Sequence, residues 1–512
     1  MSSTAELRTT LQVALQRVTE TPEYQELLTA IRSGSRVISV SGLITGSVRA
    51  LAVAELQRDT GKLFSVVVQS NRDLETWERD LRFWYCALAG QTDCDEEVLI
   101  LPASESDPYA GSSPHPETLE KRALTLWQLV RHSPGLLLLT SRALARRTVA
   151  PEELARAGAV LKRDEDYSPD DLVDQLAACG YVRQDPVSTV GEFSIRGGIL
   201  DVWAPGNAAP VRIEFFGDTI DSIREFDPET QLSTEQLRTV EIAPMRELLV
   251  RNPDFSFWAE AARERWSDPR YYRALRDRTA FADEGEAFAG WEWLIPLVHN
   301  VNATAFDYLK DSVLVVDEPS TVDSYLSDTY QNLLDRYNET DAADDIALRP
   351  DELYLHADEL RTKLSQRQLV ELRTLGRAAA ETDQALALEA EAPSVQLGRS
   401  RGVRTPLFLF PTEEKASEFE WRVQSVMRYH GRVADLAADI REAHEHGTTT
   451  VFVMPSPGLA ERITEILGEY DVVASVSTTD EPTHITDVSL PAHATVGRLS
   501  AGFELPSARL VL

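Results

Sequence analysis

The residues with the clearest chemical potential lie in two short stretches. The first is residues 41–50, SGLITGSVRA, between an apolar run, SRVISV, and a helical-looking LAVAEL. Strand, glycine-bearing turn and helix is the setting of a phosphate-binding loop, in which backbone N–H groups at a helix N-terminus hold an anion. A working loop, G-x-x-x-x-G-K-[ST], ends in a lysine for the terminal phosphates and a hydroxyl for magnesium. Here Thr45, Gly46 and Ser47 fit that pattern. Val48 replaces the glycine that lets the backbone close, Arg49 replaces the lysine, Ala50 replaces the hydroxyl, and the first glycine, Gly42, comes one place early. The second stretch is VLVVDEPS, in which a strand runs into Asp317-Glu318 and then Pro319-Ser320. Magnesium and water are held at such a strand end in phosphate-transferring enzymes. A strand followed by a solvated acidic turn gives the same pattern, so the pairing with the first stretch supplies its weight. Without lysine and hydroxyl, hydrolysis lacks its electrostatic stabilisers. The expected state is a vestigial nucleotide loop built from Thr45, Gly46, Ser47, Arg49, Asp317 and Glu318, with no catalytic residue, no metal and no cofactor.

A second candidate is a surface rather than a catalytic centre. In VRIEFFGD, the period of two in a strand puts Val211, Ile213 and Phe215 on one face and Arg212, Glu214 and Phe216 on the other. Arginine beside phenylalanine on a wet face is unusual, because an exposed large apolar residue is the informative kind. In GEFSIRGG, Phe193 and Ile195 share one face, opposite Ser194 and Arg196. If the outward faces adjoin, Arg196, Arg212 and Phe216 form one patch, of the residue types enriched at binding hot spots. The bland alternative is that Phe216 tucks under a loop and the arginines pair with Glu192, Glu214 or other nearby acids.

These residues must be positioned by several domains, since 512 residues exceed one ordinary core. Hydrophobic content of 43% and charged content of 26% place the chain in the globular class. No apolar run approaches the length of a membrane span, and the N-terminus, MSSTAELRTTLQVALQ, lacks the order of a secretion signal. The cysteines Cys86, Cys94 and Cys179 form no C-x-x-C pair, so no disulfide framework or zinc site is expected, and a reducing cytoplasm is the simplest compartment. The formal net charge of -32 opposes nucleic-acid binding, which rests on lysine and arginine at phosphates, and favours a cationic partner surface. His444 and His446, in HEHG, have no further ligands nearby and read as a solvated helix end.

Buried strands RVISV, FSVVVQS, EVLILPA and GLLLLTS alternate with helical RDLETWERDLRFWYCAL and PETLEKRALTLWQLVRH, which predicts a mostly parallel sheet under helices. After about residue 155 the pattern changes. Ser168-Pro169-Asp170-Asp171 starts a helix, Gly180 ends it, and an antiparallel meander follows through GEFSIRGG, ILDVWAPGN, APVRIEFFGD and TIDSIREFD. From about 246 the chain is aromatic and mixed. LGRAAAETDQALALEAEAPS reads as a linker. From about 400 an α/β rhythm returns through PLFLFP, TTTVFVMP, GLAERITEIL, DVVASVS, ATVGRL and ARLVL. The chain stops on an apolar run, the pattern expected of a cut chain.

GEFSIRGGILDVWAPGNAAPVRIEFFGDTIDSIREFDPETQLS resembles a hallmark of a family that includes the excision-repair protein UvrB and the N-terminal part of the transcription-repair coupling factors of the Mfd type. The resemblance extends upstream to SGLITGS and LPASESDPY and downstream to VEIAPMRE and DYLKDSVLVVDEP, over about the first 380 residues. The last segment, ending LSAGFELPSARLVL, is similar to a small domain found in Mfd and absent from UvrB. UvrB keeps a GSGKT-type loop, a DESH second motif and an aromatic-rich hairpin, none of which is present here, so the resemblance is to the Mfd branch.

This resemblance implies an α/β multidomain fold. Residues 1–155 would form UvrB-like domain 1a, a parallel-sheet domain with the degenerate P-loop-type turn, and 156–245 an inserted α+β domain 2 made by the meander. Residues 246–378 would form domain 1b, 379–399 a linker, and 400–512 a small α/β domain 3. It also implies that domain 2 binds the damage-recognition ATPase UvrA through Arg196, Arg212 and Phe216, with Glu214 as a neighbour. RNA polymerase and DNA would be reached only through C-terminal regions missing here, and no membrane partner is implied. The chain is expected as a monomer with a binding role rather than an enzymatic one, its UvrA face permanently open because the C-terminal domain that masks it in the intact family is missing. The rival readings are a divergent UvrB-like ATPase using Arg49 for lysine, and a DNA-binding or damage-binding module.

Overall fold

A computed structural model describes residues 10–90, 94, 97–374, 417–477 and 490–512. Its largest sheet has seven strands in the order Ser417–Glu420, Val37–Ser41, Leu369–Arg373, Val313–Asp317, Phe64–Val68, Leu136–Thr140, Val98–Leu101. All of its pairings are parallel. The apolar strands are continuous runs because both faces are covered. Alternate residues feed two separate cores: Ile38, Val66, Leu138 and Val315 enter one, and Val37, Val67, Leu137 and Val316 enter the other.

The meander forms a second, six-stranded sheet in the order Ser233–Leu237, Thr219–Phe226, Val211–Phe216, Ile199–Val202, Glu192–Arg196, Val182–Arg183. It is antiparallel except at its last pair. One face packs on the Pro169–Ala178 helix through Leu172, Leu176, Leu200, Val211, Ile213 and Ile223. That helix starts as its sequence predicts, with the Ser168 hydroxyl accepting from Asp171 N. A third sheet of five strands, Ala474–Ser477, Ala492–Val496, Thr449–Met454, Leu510–Val511 and Glu504–Leu505, carries the last segment. The helix Val433–Glu445 ends at HEHG, with His446 exposed beyond it. Among the described residues no helix is long and apolar enough to cross a membrane. The expected linker and the PLFLFP strand lie outside the described residues.

Two expectations are corrected. Ser417–Glu420, assigned from its position to the small last domain, instead extends the first sheet by pairing with Val37–Ser41. SEFE has a single apolar residue, Phe419, so no pattern marks it as a strand. Its pairing satisfies the open edge of Val37–Ser41, which would otherwise expose backbone donors and acceptors. The second correction is a disulfide between Cys86 and Cys94, with a Cα–Cα distance of 6.0 Å. Gly90 ends the Asn71–Ala89 helix in the left-handed region at φ 68. That reversal returns Cys94 to the last helical turn, a geometry that cysteine spacing alone does not reveal.

A buried ion pair joins the Pro116–Arg131 helix, which packs on the first sheet, to the chain leaving the meander. Arg122 Nε donates to Glu247 Oε1 at 2.6 Å, and Thr148 Oγ1 donates to Glu247 Oε2. Burial alone would push the Glu247 carboxyl up, but Arg122 and Arg146 outweigh it and hold the group at about 2. A depressed carboxylate contributes stability above its unfolded value of about 4.3, and the contribution disappears as pH falls toward 2. The difference corresponds to roughly 3 kcal/mol. Urea midpoints of Glu247→Gln should therefore fall less than those of the parent between about pH 4.5 and about 2. Parallel curves would remove Glu247 from the acid limb.

Candidate interaction face and the glycine turn

The glycine turn after Val37–Ser41 and the acidic end of Val313–Asp317 meet at the carboxyl edge of the first sheet, across Leu369–Arg373. Thr45 caps the Gly46–Thr60 helix, its hydroxyl accepting from Val48 N at 3.4 Å. Arg49, which is 6% exposed, fills the space between the two stretches. Its Nε donates to Leu43 O at 2.7 Å and its Nη2 to Glu318 Oε1 at 2.6 Å and Thr374 Oγ1 at 2.7 Å. Its Nη1 pairs with Asp317 Oδ1. Trp77 Nε1 donates to the other Asp317 oxygen at 2.8 Å. Burial raises the Asp317 carboxyl. Glu318, although burial acts against it, is held below the usual range by Thr374 and Arg49.

The turn itself is covered by later parts of the chain. Gly42 has φ 80, and a Cβ placed there would lie 1.9 Å from Trp421 O, so neither conformation nor space admits a side chain. Ser47 Oγ donates to Ala501 O at 2.5 Å, and Ser500 N donates to Asp80 Oδ1 at 2.7 Å beside Gly46. The structure thus brings all six loop residues of the sequence reading into one neighbourhood and packs Trp421 and residues 500–501 against them.

The outward face of the meander carries the other set. Val211 and Ile213 are buried and Phe215 is half-buried on the core side; Phe216 on the opposite side is 85% exposed. Arg196 and Arg212 share that outer face without adjoining, because the Ile199–Val202 strand lies between them. What joins them is Asp201, whose side chain is 2% exposed. Arg212 grips it with two bonds, Nε to Oδ1 at 2.7 Å and Nη2 to Oδ2 at 2.9 Å, and Arg196 Nη2 reaches Oδ2 at 3.1 Å. Arg212 also lies over the Phe226 ring at 4.7 Å. The Asp201 hydrogen bond raises the Arg212 guanidinium above its ordinary value. Glu214 Oε2 accepts from Ser222 Oγ and Arg224 Nη2, both at 2.9 Å.

The arginines therefore do pair with nearby acids: both hold Asp201, and Arg196 also lies 3.5 Å from Asp185. Glu192 is used instead by Ser188 and Thr189. Asp201, Ile199 and Arg224 are the residues that reading one strand at a time misses. The signal was present in RGGI: a two-residue Gly-Gly turn sets a tight hairpin and pairs Arg196 with Ile199 and Ser194 with Asp201.

Residues 160–248 match the family model described as UvrB interaction domain. This span contains Arg196, Asp201, Arg212, Glu214 and Phe216. Beyond this domain, the chain is similar to transcription-repair-coupling factors along nearly its whole length, which bears out the resemblance to an N-terminal region of these proteins. It is 26% identical over 495 residues to that of Myxococcus xanthus, covering 94% of this chain and 38% of the relative. It is 23% identical over 513 residues to that of Bacillus subtilis, covering 97% of this chain and 39% of the relative. With that of Haemophilus influenzae it shares 29% identity over 327 residues, covering 64% of this chain and 27% of the relative. The chain thus spans about two-fifths of the length of the first of these relatives.

Proposed function

We propose that this chain acts as the UvrB-like N-terminal region of a transcription-repair-coupling factor, and that its role is to bind UvrA rather than to catalyse. The observation that carries this reading is the outer face of the UvrB interaction domain. There an 85% exposed phenylalanine, Phe216, shares a sheet face with two arginines clamped on one buried carboxylate. Asp201 offsets part of their charge and fixes their direction, so little side-chain entropy is lost when a partner docks. Guanidinium edges suit partner carboxylates, and the ring suits an apolar notch. Glu214, held by Ser222 and Arg224, borders this surface. In the proposed scheme the inserted domain, residues 156–245, presents the face, while 1–155 and 246–378 form its scaffold. UvrA would thereby be recruited to RNA polymerase stalled at DNA damage, with polymerase contact and DNA translocation left to parts of the relatives that this chain does not cover.

The test is titration with purified UvrA, for which saturable binding is expected. Absence of binding by the folded chain would sink the recruitment reading. The ATPase alternative needs a vacant loop. Arg49 fills that space and Trp421 and Ala501 close on it, which favours a scaffold role. Magnesium-ATP should leave the melting temperature unchanged, whereas a rise that saturates with nucleotide would restore the enzyme reading.

A further inference from the structure

On another part of the first sheet's helical cover lies a cavity of about 490 Å³, between the Pro319–Ala342 helix and the segment from Tyr354 to Leu360. Its volume is within the range of small-molecule sites. Leu326 and Leu360 give it an apolar wall, Tyr330 and Tyr354 line its sides, and Asp323 projects from the helix. One Asp323 oxygen, Oδ1, is buried and has no hydrogen-bond partner among the described residues. A buried polar atom left in this way is costly, and such groups in folded proteins normally meet a partner.

The nearby cations are engaged elsewhere. Arg361, the positive charge acting on Asp323, donates to Asp358 at 2.7 Å. Arg142 lies over the Tyr354 ring at 5.5 Å and donates to its hydroxyl at 3.2 Å. The imidazole of His356 meets the Tyr330 ring edge-on at 5.5 Å. Burial pushes the Asp323 carboxyl up to about 7, and the charge of Arg361 opposes this only in part. A carboxylate oxygen lacking a donor, tyrosine rings and an apolar wall are together the chemistry that recognises a positive head on an apolar body.

We propose that this cavity binds an organic cation, an amidinium or ammonium group on an apolar body, with Asp323 as its counter-ion. Neither UvrA binding nor the glycine turn uses these residues, so the inference stands apart from the proposed function.

Benzamidine is a suitable probe and uncharged benzamide its comparison, each titrated calorimetrically into the full chain. Benzamidine should bind about tenfold tighter than benzamide, a difference of about 1.4 kcal/mol. Asp323→Asn should erase that preference. Ser327→Lys places a tethered ammonium one helical turn from Asp323 on the cavity wall. It should block benzamidine and, being a partly exposed helical site, does not depend on how Asp323→Asn folds. Equal affinity for both probes, no binding of either, or benzamidine binding undiminished in folded Ser327→Lys would each overturn the proposal.

Discussion

Under the proposed recruitment role, replacing Arg196, Arg212 and Phe216 together with alanine is expected to abolish UvrA capture by a chain that stays folded. Phe216 gives the cleanest part of this result. Its ring is 85% exposed, so removing it disturbs little inside the protein, and the loss reads almost directly on binding. Phe216→Ala alone should weaken the complex by ~1–3 kcal/mol, the scale of an aromatic hot spot. The arginines are less separable. Arg212 makes both bidentate bonds to Asp201, so its loss leaves a buried carboxylate held by Arg196 alone. Arg212→Ala should therefore lower both stability and affinity, and the triple variant must be compared by circular dichroism and melting as well as by titration. Losses from such a linked set will not add, because the residues share one acid. A folded triple variant with parental affinity would remove this face as the UvrA site.

Arg49→Ala will destabilise the chain by about 3–5 kcal/mol, the usual result of removing one partner from a buried ion pair. Arg49 is 6% exposed and holds Asp317, Glu318 and the Leu43 carbonyl at once. Without it Asp317 keeps the Trp77 donor but loses its counter-charge in a site where burial already raises its carboxyl. Asp317→Asn added to Arg49→Ala should recover part of the loss, and a double-mutant cycle from urea unfolding measures the coupling. Arg49→Lys should not create nucleotide binding. Ala50 still lacks the metal-holding hydroxyl, and Trp421 still closes on Gly42. A neutral Arg49→Ala, or magnesium-ATP stabilisation of Arg49→Lys, would mean that the loop is a site and not a strut.

Much of the local structure was legible because local rules govern it. The runs FSVVV and LLLLT have no polar alternation, and only strands covered on both faces read that way. Ser168-Pro169 starts a helix through its own hydroxyl and the fixed φ of proline. In VRIEFF, period two separates Ile213 from Phe216 before any neighbour is known. The losses at Val48, Arg49 and Ala50 are likewise visible as residue types.

Residue types and spacing establish that the glycine turn ends without lysine or hydroxyl and that one strand turns arginine and phenylalanine outward. Contacts between distant segments set what those residues touch. Asp201 joins Arg196 to Arg212 because the Ile199–Val202 strand lies between theirs, a matter of sheet order. Arg49 finds Asp317 across 268 positions of chain, and Ser47 finds Ala501 across 454. Ser417–Glu420 becomes a sheet strand with one apolar residue because an open edge elsewhere accepts its backbone. Spacing and periodicity act within a few residues, whereas backbone edges and buried charges are satisfied by whatever the fold brings near, at any separation along the chain.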